Sequence, residues 1–255
     1  MGRHIDLNAD VGEGFGAYDA GADADLLPFV SSVNIACGFH AGDPRIIDRT
    51  LAMALRAGVA VGAHPGYWDL RGFGRRNLAA DPDEVEADVL YQVGALMAFA
   101  NSHGIPLRHV KPHGALYNQA VKDESLARAI ARGVARVSRK LRFVGLATSD
   151  TMRRAARDEG LDYGAEAFVD RRYMPDGSLQ SRKIEGAVIL DPQVAAEQAV
   201  RLAREGRAVA EDGSEVAIAA DTLCLHGDNP RAADIAWAVR QALEGAGVEI
   251  RPLAA

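Results

Sequence analysis

Short apolar runs alternate along the chain with longer segments in which apolar residues recur with the period of an α-helix. Residues 85–100 are the clearest of these segments, because Val85, Val89, Val93 and Leu96 share one helical face. Seven of the apolar runs have the length of a β-strand. They are residues 5–8, 32–37, 59–63, 108–111, 142–147, 164–168 and 222–225. This alternation predicts a parallel sheet covered by helices, which either closes into a barrel or stays open and doubly wound.

Four pairs of an Asp or Asn followed by proline predict where helices begin. The Asx side chain can accept a backbone N–H at a helix start, and proline has no N–H to leave unsatisfied at the first helical position. The pairs are Asp43-Pro44, Asp81-Pro82, Asp191-Pro192 and Asn229-Pro230. We therefore expect a helix to begin at each of these four prolines.

We expect residues 1–255 to form a single domain, because α/β barrels of this length are commonly single domains. The alternation breaks near residues 170–185, where Pro175, Asp176 and Gly177 indicate a turn, so we expect a loop or hairpin excursion there. No Gly-x-Gly-x-x-Gly motif follows the first predicted strand, which removes the main support for a dinucleotide-binding sheet.

The charge and composition of the chain argue against some classes of partner. The formal net charge is −6 and the basic residues are scattered, which argues against nucleic acid or an anionic membrane as the main partner. No apolar run approaches the roughly 18 residues of a membrane span, and the polar start of the chain does not resemble a signal peptide. Cys37 and Cys224 lie far apart in apolar runs, which favours reduced, buried thiols and a cytoplasmic location.

Polar residues concentrate where the predicted strands end. Five of the seven histidines lie at or near these carboxyl ends, which is the edge where parallel α/β folds place ligands and catalytic groups. The residues of this set are Asn8, Asp10, Glu13, Asn34, His40, His64, His109, Lys111, His113, His226 and Asp228. Each of them alone has a structural explanation, such as a turn cap or a surface charge. Their shared position at one edge favours a common site.

Two predicted strands carry polar residues at every second position. Asp6, Asn8 and Asp10 alternate on the first strand, and His109, Lys111 and His113 follow the fourth. Side chains two residues apart share one face of a strand, so in a closed barrel these faces can point into the lumen. The alternative is a solvated face of an edge strand, which is disfavoured because parallel strands are normally covered on both faces.

The sequence leaves the cofactors open. Asp10, His40 and His64 are candidate ligands for a divalent metal, because carboxylate and imidazole groups at strand ends suit such an ion. No His-x-x-x-His or His-Glu-x-x-His motif lies on a predicted helix. No Gly-x-x-x-x-Gly-Lys-Ser/Thr motif occurs either, so any ATP would bind without a P-loop.

Several stretches resemble the LamB/YcsF family, and they cover nearly the whole chain in order. The opening stretch is Asp6-Leu-Asn-Ala-Asp-Val-Gly-Glu-Gly-Phe-Gly16. The others are residues 32–44, 62–66 with 72–76, 109–118, 168–173 with 175–179, and 224–228. The departures from the family pattern, among them Val11 and Trp68, remove no ionisable residue from the strand-end set.

This resemblance implies a seven-stranded, TIM-like (β/α) barrel similar to the glycoside hydrolase/deacetylase fold. It also implies an ATP-dependent 5-oxoprolinase activity that converts 5-oxo-L-proline to L-glutamate, with ATP as co-substrate, Mg²⁺, and two partner subunits, B and C. We expect the catalytic residues to be Asp10, Glu13, His40, His64, Lys111 and His113. We expect the substrate-binding residues to be Asn8, Asn34, Arg75, Tyr117, Arg171, His226 and Asp228.

Two other functions compete with this one. The first is a metal-dependent amidohydrolase or deacetylase that acts without ATP on a similar barrel. The second is a non-catalytic barrel that binds a lactam or carbohydrate and regulates a partner. The density of ionisable residues at one edge disfavours the second, because binding sites are usually more apolar.

Overall fold

The structure, a computed structural model, describes residues 3–18 and 23–253. Residues 1–2, 19–22 and 254–255 of the predicted domain lie outside this part of the chain. The strands of the described part are β1 (His4–Val11), β2 (Ser32–Ala36), β3 (Ala60–His64), β4 (Leu107–Val110), β5 (Arg142–Leu146), β6 (Tyr163–Phe168), β7 (Arg207–Val209), β8 (Glu215–Ala217), β9 (Thr222–His226) and β10 (Glu249–Ile250).

Seven of these strands close into a parallel barrel, in the order β1-β2-β3-β4-β5-β6-β9. The barrel is closed because β9 pairs with both β6 and β1. The predicted seven-stranded barrel is therefore confirmed, and the open, doubly wound sheet is excluded. All seven predicted strands are present, and the largest difference is in β1, which continues to Val11.

The sequence patterns did not predict the remaining three strands. β7 and β8 form a short antiparallel hairpin, and β10 adds two residues to the edge of β1. A strand of two or three residues is too short to show a period of two, so apolar patterning cannot detect it.

Eight α-helices and one 3₁₀-helix surround the barrel in the described residues. They are α1 (Asp23–Leu26), α2 (Pro44–Ala57), the 3₁₀-helix (Leu70–Gly72), α3 (Pro82–Ser102), α4 (Gly114–Ala120), α5 (Glu124–Val137), α6 (Asp150–Asp158), α7 (Pro192–Glu205) and α8 (Ala232–Gly245). Leu7, Ala9 and Val11 alternate with the polar residues of β1 and are fully buried in the apolar core. The hydrophobic effect thus holds the helical layer to the outer face of the barrel.

Three of the four predicted helix starts are confirmed. Asp43, Asp81 and Asp191 each accept backbone N–H groups at the beginning of a helix whose first residue is proline. The prediction at Asn229-Pro230 is wrong, because α8 begins at Ala232. Asn229 Oδ1 instead accepts a hydrogen bond from the Arg231 backbone in the turn before the helix (3.0 Å).

The lumen of the barrel carries a ladder of polar side chains instead of the bulky aliphatic layers usual in such barrels. Asp6, Asn8 and Asp10 are all buried, and β1 is paired on both sides, so the solvated-edge alternative is wrong. Asn8 donates hydrogen bonds to Thr222 Oγ1 (2.7 Å) and Glu166 Oε1 (3.3 Å). These bonds join β1 to its neighbour β9 and to β6, the next strand around the barrel.

The segment between β6 and α7 crosses the mouth of the barrel without a regular helix or strand in its described residues. Isolated bridges join Arg171 to Val188 and Tyr173 to Leu179. The buried Tyr173 hydroxyl accepts a hydrogen bond from the Phe168 backbone (2.7 Å). These contacts fix the segment over the carboxyl ends of the strands.

We predict that Asp6 makes the stability of the protein depend on pH. Burial raises the pKa of Asp6 to about 6, although the hydroxyls of Ser31, Ser32 and Thr222 donate hydrogen bonds to it (2.7, 2.8 and 2.6 Å). Because this pKa exceeds the unfolded value of 3.8, the folded protein keeps the proton longer than the unfolded chain. The free energy of unfolding should therefore fall as pH rises from about 4 to about 6, by an amount on the order of 3 kcal/mol.

Asp6→Asn keeps the polar group but cannot ionise, so the variant should gain stability relative to the parent across this pH interval. Urea unfolding of both proteins from pH 4 to pH 8 measures the difference. Parallel profiles for the two proteins would contradict the prediction.

Candidate active site

A cavity of about 870 Å³ opens at the carboxyl ends of the strands, where the sequence predicts the site. This volume is near the upper end of the roughly 300–1,000 Å³ usual for small-molecule sites. Its lining includes four of the predicted catalytic residues and four of the predicted substrate-binding residues. They are Asp10, His64, Lys111 and His113, and Arg75, Tyr117, Arg171 and His226.

The other predicted site residues lie beside or beneath this cavity. Glu13 and His40 are buried next to His113. Asn8 and Asn34 lie deeper in the lumen and hydrogen-bond to each other (2.7 Å). Asp228 pairs with two cavity-lining arginines, Arg75 (2.7 Å) and Arg182 (3.5 Å). All thirteen predicted residues therefore belong to one connected region, but only eight line the cavity.

The centre of the site is a buried ion pair between Asp10 and Lys111. Lys111 Nζ lies 2.9 Å from Asp10 Oδ1, and both side chains are almost fully buried. Burial raises the pKa of Asp10, but the charges of His64 and Lys111 outweigh burial and hold that pKa well below the usual range. Asp10 is therefore an anion throughout the neutral range.

Lys111 has three acceptors for its three ammonium protons. Besides Asp10, they are Glu166 Oε1 (3.0 Å) and Cys224 Sγ (2.9 Å). Burial lowers the pKa of Lys111, but the facing Asp10 outweighs burial and raises it well above the ordinary value. Burial also raises the pKa of the Cys224 thiol well above its usual range, so Cys224 is a neutral and weak acceptor.

Asn34 and His109 hold Asp10 in place from below. Asn34 Nδ2 donates to Asp10 Oδ1 (2.9 Å), and His109 Nε2 lies 2.7 Å from Asn34 Oδ1. Burial, reinforced by the charge of Lys111, lowers the pKa of His109 to about 3, so its ring is neutral and donates from Nε2. The ring fits because β3 has a glycine opposite it, since a Cβ at Gly62 would collide with the His109 side chain.

A second cluster joins Glu13 to three imidazoles on the other side of Asp10. The rings of His40 and His113 stack with centroids 3.8 Å apart, and Glu13 Oε1 lies 3.5 Å from His113 Nδ1 and 3.8 Å from His40 Nε2. His64 Nε2 lies 3.3 Å from Asp10 Oδ2, so this imidazole links the two clusters. We name the four residues Glu13, His40, His64 and His113 the imidazole cluster.

Burial sets the protonation of the imidazole cluster. Burial, reinforced by the charges of Asp10 and Asp228, raises the pKa of Glu13 well above its usual range. Burial also lowers the pKa values of His40 and His113 well below the ordinary value for histidine, and neighbouring imidazoles lower them further. The imidazole rings of His40 and His113 are therefore uncharged at neutral pH.

Sequence reasoning missed three residues of the site. Glu166 projects from β6, and an acid inside an apolar strand was the available signal. Asp170 accepts a hydrogen bond from His226 Nδ1 (2.9 Å), and it gave a weaker signal because it lies in the loop after β6. Phe73 has a left-handed backbone (φ 53°), and its carbonyl accepts from His113 Nε2 (2.9 Å).

Part of the cavity lining is basic, and we call it the basic wall. Arg171 is buried and donates to the Gln180 carbonyl (2.6 Å), and burial lowers its pKa only to about 10, so it stays charged. Other cations of this wall are Arg75, Arg76, Lys122, Arg182 and Lys183. The cavity therefore suits an anionic ligand.

The closed barrel and its polar cavity place the chain among the (β/α)-barrel proteins whose site lies at the carboxyl ends of the strands. The chain belongs to the LamB/YcsF family, whose profile matches residues 5–255, and the resemblance in the sequence is thereby confirmed.

Relatives named as the A subunit of 5-oxoprolinase are similar over nearly their full length. One from Thermus thermophilus is 53% identical to this chain, in an alignment that covers 97% of this chain and 98% of the relative. One from Campylobacter jejuni is 46% identical and covers 96% of each. The crystal structure of the lactam utilization protein from Thermus thermophilus has a TM-score of 0.93 at 51% identity, and covers 98% of this chain and 100% of that one.

More distant structures share the barrel. A structure of T48 deacetylase with substrate has a TM-score of 0.50 at 14% identity, and covers 98% of this chain and 87% of that one. This likeness concerns the fold alone, and it agrees with the predicted deacetylase-type barrel. Among the described residues, no helix is both long and apolar enough to cross a membrane.

We predict that Gly62→Ala destabilises the protein by about 2–5 kcal/mol, because the added methyl overpacks the lumen and displaces His109 from Asn34. Gly94→Ala is the matched control, since nothing lies within 4 Å of its added Cβ on α3. The control should be neutral or stabilising by up to about 1 kcal/mol. Chemical unfolding of both variants checks this, and equal stability would show that the lumen tolerates the methyl group.

Proposed function

We propose that the chain is the A subunit of an ATP-dependent 5-oxoprolinase, which opens 5-oxo-L-proline to L-glutamate. The observation that carries this proposal is the 53% identity, over 97% of the chain, to a relative named as the A subunit of 5-oxoprolinase. The cavity supports it, because opening an unreactive lactam requires a positioned water and stabilisation of the charge that develops on the lactam oxygen.

The ion pair suits these two tasks. Asp10 remains ionised, so its carboxylate can accept a proton from the attacking water and orient it. Lys111 remains charged and stabilises the lactam oxygen or a phosphoryl group on it. Because the three ammonium protons already have acceptors, the substrate oxygen would replace the weakest of them, the Cys224 thiol.

The imidazole cluster supplies the remaining wall of this reaction centre. His64 and His113 line the cavity, while His40 and Glu13 pack directly behind them. We propose that these residues bind the substrate or exchange protons as water adds to the lactam carbon, the ring C–N bond breaks and the nitrogen becomes an amine. Among them, Glu13 is suited to proton exchange, because burial raises the pKa of its carboxyl well above the usual range.

We propose that ATP, accompanied by Mg²⁺, transfers its terminal phosphoryl group to the lactam oxygen. ADP is the leaving group of this transfer. A phosphorylated lactam is anionic and larger than the lactam alone, and both the basic wall and the cavity volume of about 870 Å³ suit it. A second water then releases the phosphate. The chain has no P-loop, so we propose that partner subunits B and C contribute to ATP binding.

We also propose a cytoplasmic location and a single domain. Both cysteines of the chain are free and buried, as expected for a reducing compartment. The pairing of β1 with β9 and β10 joins the first part of the chain to the last, which supports one domain.

A metal-dependent amidohydrolase that acts without ATP is the second candidate. The imidazole cluster favours it, since its four ligand atoms lie within 4.8 Å of one another. Omitting ATP from the assay separates the two functions. ATP-independent opening of 5-oxoproline that a chelator abolishes would support the second candidate over the first.

We predict that Asp10→Asn and Lys111→Ala each lower turnover of 5-oxoproline, measured with the reconstituted complex, by a factor of about 10³ or more. Lys140→Ala is the control, because Lys140 is exposed and lies near the amino end of β5. Thermal unfolding of each variant should be measured alongside, since loss of one partner from a buried ion pair also destabilises a protein. Near-normal turnover in both folded variants would remove the ion pair from the mechanism.

A further inference from the structure

Two backbone carbonyls determine which nitrogens of His64 and His113 carry a proton. His64 Nδ1 lies 2.7 Å from the Lys111 carbonyl oxygen, and His113 Nε2 lies 2.9 Å from the Phe73 carbonyl oxygen. A carbonyl oxygen only accepts, so each of these nitrogens must be the N–H donor. In the neutral rings, the lone pairs therefore belong to His64 Nε2 and His113 Nδ1.

These two remaining nitrogens face each other at 2.9 Å. Two lone pairs at this distance repel, so a positive charge has to lie between or beside them. A shared proton would satisfy the pair and would also face Asp10 Oδ2, which lies 3.3 Å from His64 Nε2. A metal ion would satisfy the pair and would also engage other ligand atoms around it.

The surroundings favour the metal ion. His40 is buried, and neither of its ring nitrogens has a hydrogen-bond partner. Its Nε2 lies 3.8 Å from Glu13 Oε1, which in turn lies 3.5 Å from His113 Nδ1. A proton between His64 and His113 would leave both ring nitrogens of His40 without a partner, whereas a metal ion would engage His40 as well as Glu13.

We propose that Glu13, His64 and His113 form a binding site for one divalent transition-metal ion, with His40 as its adjacent fourth ligand. Imidazole and carboxylate groups together suit Zn²⁺, Co²⁺, Fe²⁺ or Mn²⁺. Metal-binding histidines usually donate their other N–H to a carbonyl or carboxylate, which both His64 and His113 do here.

The spacing of the nitrogens is compatible with this site. Two nitrogens at roughly 2.05 Å from a metal are about 2.9 Å apart at a right angle and about 3.3 Å apart at a tetrahedral angle. The observed separation of 2.9 Å fits the first arrangement, and a shift of a few tenths of an ångström reaches the second.

The other group of potential ligands is a weaker candidate. Asp10, Cys224 and His226 also place ligand atoms within 4.8 Å of one another. The Lys111 ammonium already contacts both Asp10 and Cys224 there. A second cation would have to displace Lys111, so the proposal is restricted to the imidazole cluster.

Metal binding to the isolated, chelator-treated full chain tests the proposal without an activity assay. We expect Co²⁺, followed by its d–d absorption and by calorimetry, to bind with a stoichiometry of one. His64→Gln and His113→Gln should each weaken binding at least about 100-fold, because each removes a ligand while keeping a polar side chain. The control variants His4→Ala and His103→Ala should bind like the parent, since these histidines pair with Arg251 and Asp48 away from the site.

Three results would overturn the proposal. One is the absence of stoichiometric binding of Co²⁺, Zn²⁺ or Mn²⁺ by the parent chain. Another is unchanged affinity in the folded double variant His64→Gln/His113→Gln, with folding verified by circular dichroism. The third is a ¹⁵N NMR spectrum in which His64 and His113 share a proton and in which added metal does not change their imidazole signals. The inference does not depend on the 5-oxoprolinase assignment, because its readout is binding by the chain alone.

Discussion

The buried ion pair between Asp10 and Lys111 is the interaction on which the arrangement of the lumen depends. Removing two charges from water is costly, and their attraction offsets that cost only when the other donors and acceptors of the pair are also satisfied. Asn34 on one side, and Glu166 and Cys224 on the other, satisfy them. The polar ladder in a barrel whose centre is usually aliphatic is the consequence.

The ladder also leads us to expect a rigid site. Each polar residue is held by another element of the barrel, as when His109 of β4 positions Asn34 of β2, which in turn positions Asp10 of β1. Such a network rigidifies a site when every member has a partner. The groups without hydrogen-bond partners are informative for the same reason. Among the described residues they include His40, beside Glu13, and the Tyr117 hydroxyl, in the cavity wall.

Much of the fold was predictable because the chemistry of each element is local. Apolar runs of four to six residues predicted all seven barrel strands, and Asx-Pro pairs predicted three helix starts. Asn229-Pro230 misled because the same side-chain cap also stabilises an isolated turn, and only the following residues determine whether a helix begins there.

The site was predictable only in part. The His, Asp and Lys residues at the strand ends predicted one shared site, because parallel strands bring their carboxyl ends together at one edge of the sheet. Glu166 and Asp170 were missed because each is a single acid whose partner, Lys111 or His226, is distant in sequence. The contribution of Phe73 comes from its backbone carbonyl and left-handed conformation, and no side-chain pattern can reveal it.

A crystal structure of the chain with 5-oxo-L-proline bound tests the central claim most directly. We expect the lactam at the mouth of the barrel, with its oxygen within about 3.2 Å of Lys111 Nζ in place of the Cys224 thiol. A lactam bound elsewhere, with Lys111 still in contact with Asp10, Glu166 and Cys224, would contradict the account.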